Sequence, residues 1–355
     1  MSSGLAIGHS LAKRFIEVQP RGKDDGATAL LLAFLLIDFI LFVPVAFLIS
    51  YTLGFFYPTL AAVEDPLPAY DALSVNEDGT PTKDDNGRLP TAQPGKPVTG
   101  SLRVTYRLIR SLGSWRINFH GFGYNMVVHG VWNLTAMFLS LAPFLPRSIA
   151  QVLALVAIAP LHTAWTHWVI TPPGPRSFFS RIPPVRKVYL ATWFPSFLFG
   201  AAIQASFILP LLLAGVIGLR VPDMDTPPDR QTRLTVSDVA KGLCLLGVHL
   251  GLSALLVTPA HVALTRVQAS LLSADEDTLV PFDRSFGGRV EPDVVNGKGF
   301  ATFGAAIKTV GLQSWVRIYL LDLKVAAVAA VAYSVLGAVI VGQVLLFLLF
   351  AKAHD

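Results

Sequence analysis

Apolar runs of twenty to thirty residues recur along this chain, and between them no stretch shows the periodicity of a soluble domain of ordinary size. A bilayer core ~30 Å thick takes ~20 mostly apolar residues per helix, and a backbone inside it must satisfy its own hydrogen bonds. Helices are therefore the expected form of each run. Composition agrees: 53% of 355 residues are hydrophobic, 14% are charged and mean hydropathy is +0.56, far from the balance of a soluble domain. The expectation is an all-α, multi-pass integral membrane protein with spans at 27–57, 125–145, 149–170, 189–219, 239–261 and 325–350, six in number.

The segments between the runs have their own character. A polar segment, 1–26, carries Lys13, Arg14, Arg21 and Lys23. Its length ahead of the first run and its lack of a small-residue cleavage site do not fit a secretory signal. Residues 64–97, rich in Pro, Asp and Gly, read as a solvated loop. In SLRVTYRLIRSL, 101–112, Leu102, Tyr106, Ile109 and Leu112 share one side of a helix while Arg103, Arg107 and Arg110 lie elsewhere around it. That pattern fits a helix at the headgroup level, its arginines toward anionic lipid, or an amphipathic helix packed on protein. Loops after the first, third and fifth runs are more basic than the others, which places them on the cytoplasmic or matrix side and both termini together on the opposite one.

A search for internal period is more informative. Pro58, Pro160 and Pro259 stand near the ends of the first, third and fifth runs, 102 and 99 residues apart, and Ala62, Ala164 and Ala263 each follow their proline by four. His162 and His261 hold the same place in the second and third copies. PRSFFSRIPP from Pro175 matches DRSFGGRVEP from Asp283 at an offset of 108 residues. Ile109-Arg110 with Gly113 matches Ile307-Lys308 with Gly311 at an offset of 198, as for a short helix closed by a left-handed glycine. These offsets imply three repeats, 27–145, 146–222 and 223–355, each holding two spans and a connecting segment.

In this arrangement the chain resembles the mitochondrial carrier family, which is built from three tandem repeats of two transmembrane helices and a short matrix-side helix. The best local fit is PAHVALTRVQ, where Pro259, Thr265, Arg266 and Gln268 stand as in the family's motif; Phe119-His120-Gly121 looks like its aromatic, basic, glycine element. The resemblance implies solute transport across an organellar membrane, a mitochondrial one first, with substrate contacts from the even helices near the midplane. It also implies a gate of ion pairs between the odd helices. The chain departs from the family here: Leu60, His162 and His261 occupy the gate's acidic position, and Val63, Trp165 and Leu264 its first basic one. Pairs of that kind cannot form. The competing expectation is a carrier-like protein that no longer transports and serves as a scaffold or docking protein in the mitochondrial outer membrane or another membrane.

The chain is also similar to fungal membrane proteins labelled "ubiquitin carrier protein", but conjugation chemistry needs a supported, water-accessible thiolate. The single cysteine, Cys244, falls inside the fifth run and reads as a small buried hydrophobe. No phosphate loop, nucleophile elbow or zinc signature occurs, so no enzyme, cofactor or metal is expected, and the net charge of +5 belongs to membrane-facing loops rather than nucleic acid. The candidate substrate contacts are His129, Asn133, Gln204, Ser334 and Gln343, polar residues kept within even spans, which hold no fixed cation and so favour a neutral or weakly charged solute. Mouth candidates are His162, His261 and Arg266. Asp38, about ten residues into the first run, should face protein or water.

Overall fold

The computed structural model describes residues 25–65, 97–111, 115–174, 177–219, 235–273, 275–291 and 297–354. The expected segments 1–26 and 64–97 fall almost wholly outside them, as do Leu112, Gly113 and Arg176. Every regular element among the described residues is helical.

The α-helices are α1 (Asp25–Phe47), α2 (Tyr57–Val63), α3 (Leu102–Ser111), α4 (Phe122–Leu139), α5 (Arg147–Ala157), α6 (Ala159–Ile170), α7 (Val185–Val216), α8 (Val236–Leu252), α9 (Thr258–Ser270), α10 (Phe303–Lys308) and α11 (Leu312–His354). Wider π-helical turns join α1 to α2 (Leu48–Phe56) and α8 to α9 (Ser253–Val257). Among the described residues, four helices are long and apolar enough to cross a membrane: Leu31–Val63, Val185–Val216, Val236–Ser270 and Leu312–Phe347. The α5–α6 pair makes a fifth if its two bent halves are one span. Large apolar side chains such as Phe39, Phe207, Leu211, Leu255 and Leu349 face outward from them, as in a protein whose outer solvent is lipid. At 18 residues, α4 covers the expected second span but is not in that set, because Asn125, His129 and Asn133 dilute its apolar character.

The three repeat prolines act alike. A proline has no N–H for the carbonyl four residues back and its ring crowds that carbonyl, so a helix running through it must widen or bend. Pro58 and Pro259 each follow a π-helical stretch, and at Pro160 the α5–α6 pair bends by 61°. In all three cases the proline enters the first turn of the next segment, where its missing donor costs least. The first, fifth and sixth runs reach beyond their expected ends, to Val63, Ser270 and back to Leu312, because polar residues there find partners inside the protein. α8 starts at Val236 because Thr235 and Asp238 form a capping box, with Thr235 Oγ1 accepting from Asp238 N and the Asp238 carboxylate accepting from Thr235 N.

The chain divides into two compact units, Met1–Ser50 with Val325–Asp355, and Tyr51–Lys324. In the first, Gln343 Nε2 donates to Asp38 Oδ1 at 2.8 Å, so the intramembrane acid is answered by an amide. In the second, α2, α6 and α9 touch one another pairwise. Ala62, Ala164 and Ala263 lie in this convergence, each at most 1% exposed; a side chain larger than a methyl would hold the backbones apart. Beside it, Ala159, Val188, Val267, Phe286, Ala301 and Ala306 form an apolar core.

Three expectations are corrected. Gly311 is not left-handed, because α10 ends on Thr309, whose N–H bonds Ala305 O, and the chain enters α11 almost at once. The protein-facing side of α3 is centred on Thr105 and Ile109, while Tyr106 is exposed and accepts from Arg110; Thr105 is drawn inward because its hydroxyl bonds Val98 O and Ser101 O. Cys244 sits within α8 as expected but is exposed rather than buried, since no described residue covers that face of the helix.

Candidate functional site

Glu64 and Asp65 follow α2 directly, where its last carbonyls lack intrahelical donors and carry the negative end of the helix dipole. Two arginines from distant segments answer both needs. Arg317 Nη2 donates to Ala61 O at 3.2 Å and Glu64 O at 2.7 Å, while its Nη1 lies 2.9 Å from Glu64 Oε2. The pair is sealed from solvent, with side chains 6% and 1% exposed. The Glu64 carboxylate also accepts from Val98 N (2.6 Å), Thr99 N (3.0 Å) and Thr99 Oγ1. Arg266 Nη1 reaches Ala62 O (3.3 Å) and Asp65 Oδ1 (2.8 Å), and its Nη2 donates to Thr309 Oγ1 (3.2 Å). Its guanidinium lies over the Phe286 ring at 5.1 Å, a cation–π contact strengthened by burial. Asp65 Oδ2 accepts from Asp283 N at 3.0 Å. Asp283 itself is exposed; burial pushes its carboxyl up, but hydrogen bonds from Ser285 Oγ, Gly287 N and Ser285 N, with the Arg266 charge, hold it below the usual value.

At the end of α6, Arg181 Nη1 donates to Thr171 Oγ1 (2.6 Å) and Glu276 Oε2 (3.3 Å), with its guanidinium 5.1 Å from the Trp168 ring. Leu279 N caps Ile170 O at 2.8 Å and Asp65 N donates to Pro281 O at 2.8 Å. The segment after α9 thus ties the ends of α6 and α2. Phe178 and Phe286, matched in the repeat, are each 1% exposed beneath this layer.

Between α6 and α9 runs a polar seam. Gln268 Oε1 accepts from Thr166 Oγ1 (2.7 Å), its Nε2 lies 2.7 Å from His162 Nδ1, and its backbone O is 2.8 Å from His167 Nε2. One and two turns back on the same face of α9, Thr265 Oγ1 meets His261 Nε2 at 3.3 Å.

The Phe119-His120-Gly121 element clasps the same region. Tyr51 donates to His120 O, and His120 Nε2 lies 2.9 Å from Trp168 O with the two rings stacked. Burial, reinforced by the Arg181 charge, holds the His120 imidazole below its ordinary value of 6.5 against the opposing pull of the Trp168 carbonyl. Gly121 caps α4 at φ 81°, and a Cβ there would fall 2.9 Å from Tyr51 Oη and 3.2 Å from Val169.

The sequence candidates are distributed unevenly. His162, His261 and Arg266 are drawn into the α6–α9 region, but Arg266 is committed to Asp65 and is no open mouth cation. His129 Nδ1 bonds Asn125 O on its own helix, Asn133 is exposed and donates to His129 O, and Gln204 donates to Gln151. In the other unit, Ser334 is exposed and Gln343 serves Asp38. Arg103, Arg107 and Arg110 are all exposed on α3. Ion pairs between helix ends do form, one to two turns beyond the signature positions. Glu64, Thr166 and Thr265 each lie six residues after a repeat proline, and Asp65, His167 and Arg266 seven. Counting onward from the prolines finds them; Glu276 and Arg317 leave no such signal. The chain matches no family model and no curated protein.

Proposed function

We propose that the protein is a six-helix, three-repeat, carrier-like bundle that moves a neutral or weakly charged solute across an organellar membrane, mitochondrial in the first instance. The supporting observation is the convergence of α2, α6 and α9 just beyond Pro58, Pro160 and Pro259, tied by buried ion pairs. Such pairs close one end of the bundle, and opening it requires separating Glu64 from Arg317 and Asp65 from Arg266. The kinked helices supply pivots at which the ends can swing. The sixth span is α4, continued by the turn up to Leu145. Exposed Arg103, Arg107 and Arg110 on α3 suit contact with anionic headgroups. An open groove of about 830 Å³ at the start of α7, lined by Arg186, Lys298, Trp193 and Phe194 among others, suits the same lipids.

Purified protein in liposomes, assayed for uptake of a metabolite panel, tests the reading. Uptake that increases in Asp65→Asn, which weakens the closed end, supports it. No movement of any solute by wild type or variant defeats it. The scaffold reading is favoured by one observation: Asn133 is exposed and spends its amide on His129 O of its own helix rather than on a neighbouring helix. It gains if tagged protein fractionates to an organelle and retains partners while moving nothing.

A further inference from the structure

The segment after α9, residues 275–291, touches the ends of all three helices that converge beyond the repeat prolines. At α6, Leu279 N donates to Ile170 O at 2.8 Å, and Glu276 Oε2 lies 3.3 Å from Arg181 Nη1. At α2, Asp65 N donates to Pro281 O at 2.8 Å and Asp65 Oδ2 accepts from Asp283 N at 3.0 Å. At α9, Arg284 Nη1 donates to Ser273 O at 2.6 Å, and the Phe286 ring lies beneath the Arg266 guanidinium. The Asp65 carboxylate is therefore shared, one oxygen serving Arg266 and the other this segment. Within 275–291 only Val280 and Phe286 are buried, each 1% exposed.

The turn that delivers Phe286 differs from its counterpart in the second repeat. In PRSFFSRIPP, Phe178 is equally buried and has φ −56°. In DRSFGGRVEP, Phe286 has φ 52°, a region an L side chain seldom adopts, and Gly287 and Gly288 follow at 64° and 76°. A Cβ on either glycine would meet nothing within 4 Å, so backbone conformation rather than packing calls for glycine there. The turn is held by Asp283, whose exposed carboxylate accepts from Ser285 N (2.9 Å), Ser285 Oγ (2.6 Å) and Gly287 N (2.7 Å). Left-handed backbone at a buried aromatic persists only while its surroundings impose it. Here they include three hydrogen bonds to a carboxylate that water can reach.

We infer that residues 275–291 form a releasable strap that keeps this end of the bundle closed, with Asp283 as its catch and Phe286 as its anchor. Lifting it uncovers Ile170 O, Asp65 N and the Arg181 guanidinium, all of which can turn to water, so their hydrogen bonds are exchanged rather than lost. Exposure of Val280 and Phe286 is what opposes release. The Glu64–Arg317 pair makes no bond to the strap and stays in place, whereas the Asp65–Arg266 pair loses Asp283 N and the Phe286 ring. The strap stands on the fold alone. That its release admits solute rests on the transport reading above and names a regulation of it.

The test uses the full chain in lipid nanodiscs, with Cys244→Ser removing the native thiol and Val63→Cys placing a new one at the end of α2, where Val63 is 0% exposed. A second parent carries Ile170→Cys, at the end of α6 and equally buried. The probe is a methanethiosulfonate bearing a quaternary ammonium, which labels only a thiol that meets water. Asp283→Ala removes the acceptor of three hydrogen bonds and should speed labelling of both parents by roughly tenfold or more. Because Asp283 is a surface residue, the thermal midpoint should stay within about 2 °C of the parent. Asp283→Asn, which still accepts, should label at close to the parent's rate. Equal rates in parent and Asp283→Ala, or rates that rise only as the midpoint falls, overturn the strap. Uptake of the metabolite panel by the same proteins in liposomes separates the two readings. Faster labelling joined to faster uptake supports both. Faster labelling with no uptake by any of them defeats transport and leaves the strap, and unchanged labelling with uptake by all does the reverse.

Discussion

Replacing Glu64 with alanine removes the acid at the centre of the charge lock. The carboxylate is 1% exposed at the side chain and serves Arg317, two backbone N–H groups and the Thr99 hydroxyl. Its loss strands the Arg317 guanidinium, 6% exposed, against two carbonyl oxygens, with Nε already unpartnered. Removing one member of a buried pair costs about 3–5 kcal/mol, because the other charge stays buried and uncompensated. For a domain of this size that lowers the thermal midpoint by on the order of 10 °C. Glu64→Gln is the sharper variant, since it keeps the shape and part of the hydrogen bonding while deleting the charge, and should retain more than half of the loss. Arg317→Met alone should also destabilise, but Glu64→Gln combined with Arg317→Met should cost less than the sum of the singles by about 0.5–3 kcal/mol. Thermal unfolding in detergent or nanodiscs, followed by intrinsic fluorescence, reads all four proteins. Additive effects, or a Glu64→Gln midpoint equal to wild type, would refute the argument that the pair acts as a unit.

Three further outcomes follow from other parts of the fold. Gly121→Ala forces a side chain into left-handed backbone and against Tyr51 Oη at 2.9 Å, and should destabilise by roughly 2–4 kcal/mol in the same assay; a neutral effect would remove the clasp from the account. His120, held below its ordinary value of 6.5 by burial, takes up its proton more readily when unfolded. Its stability contribution is thus full above that value and declines as pH falls below it; midpoints measured from pH 8 to 5 should show this fall and His120→Gln should flatten it. Exposed Cys244 on α8 should stay unmodified by maleimides and charged thiol reagents in membranes, because a lipid-facing thiol does not ionise, and react once the protein is unfolded in denaturant; modification in membranes would place that face of α8 in water.

How much was legible from residue order depends on the range of the interaction involved. Hydrophobic runs specify helices locally, so the positions of α1, α4, α7, α8 and α11 could be read in advance, within a few residues at most ends. Proline acts on the carbonyl four residues behind it, and so the three breaks at Pro58, Pro160 and Pro259 were also a local property. The alanines four residues later needed only the period to be noticed, and their burial follows from three backbones approaching closely. Helix ends depart from the local pattern where tertiary partners extend them: Arg317 and Asp322 look like residues outside a span until Glu64 and Thr258 are placed beside them.

The charge lock itself was decided by tertiary structure alone. Its partners lie 201 and 253 residues apart in the chain, and no local pattern in sequence records that Arg317 will cap α2. The same limit applies to Gln268, whose amide is a plain polar residue in sequence and meets Thr166 and His162 only when α9 lays it between them. Periodicity and covalent geometry act over a turn or two of helix and are written in the order of residues. Buried charge must be compensated by whatever the folded chain brings within about 4 Å, and that proximity exists only once the helices have packed.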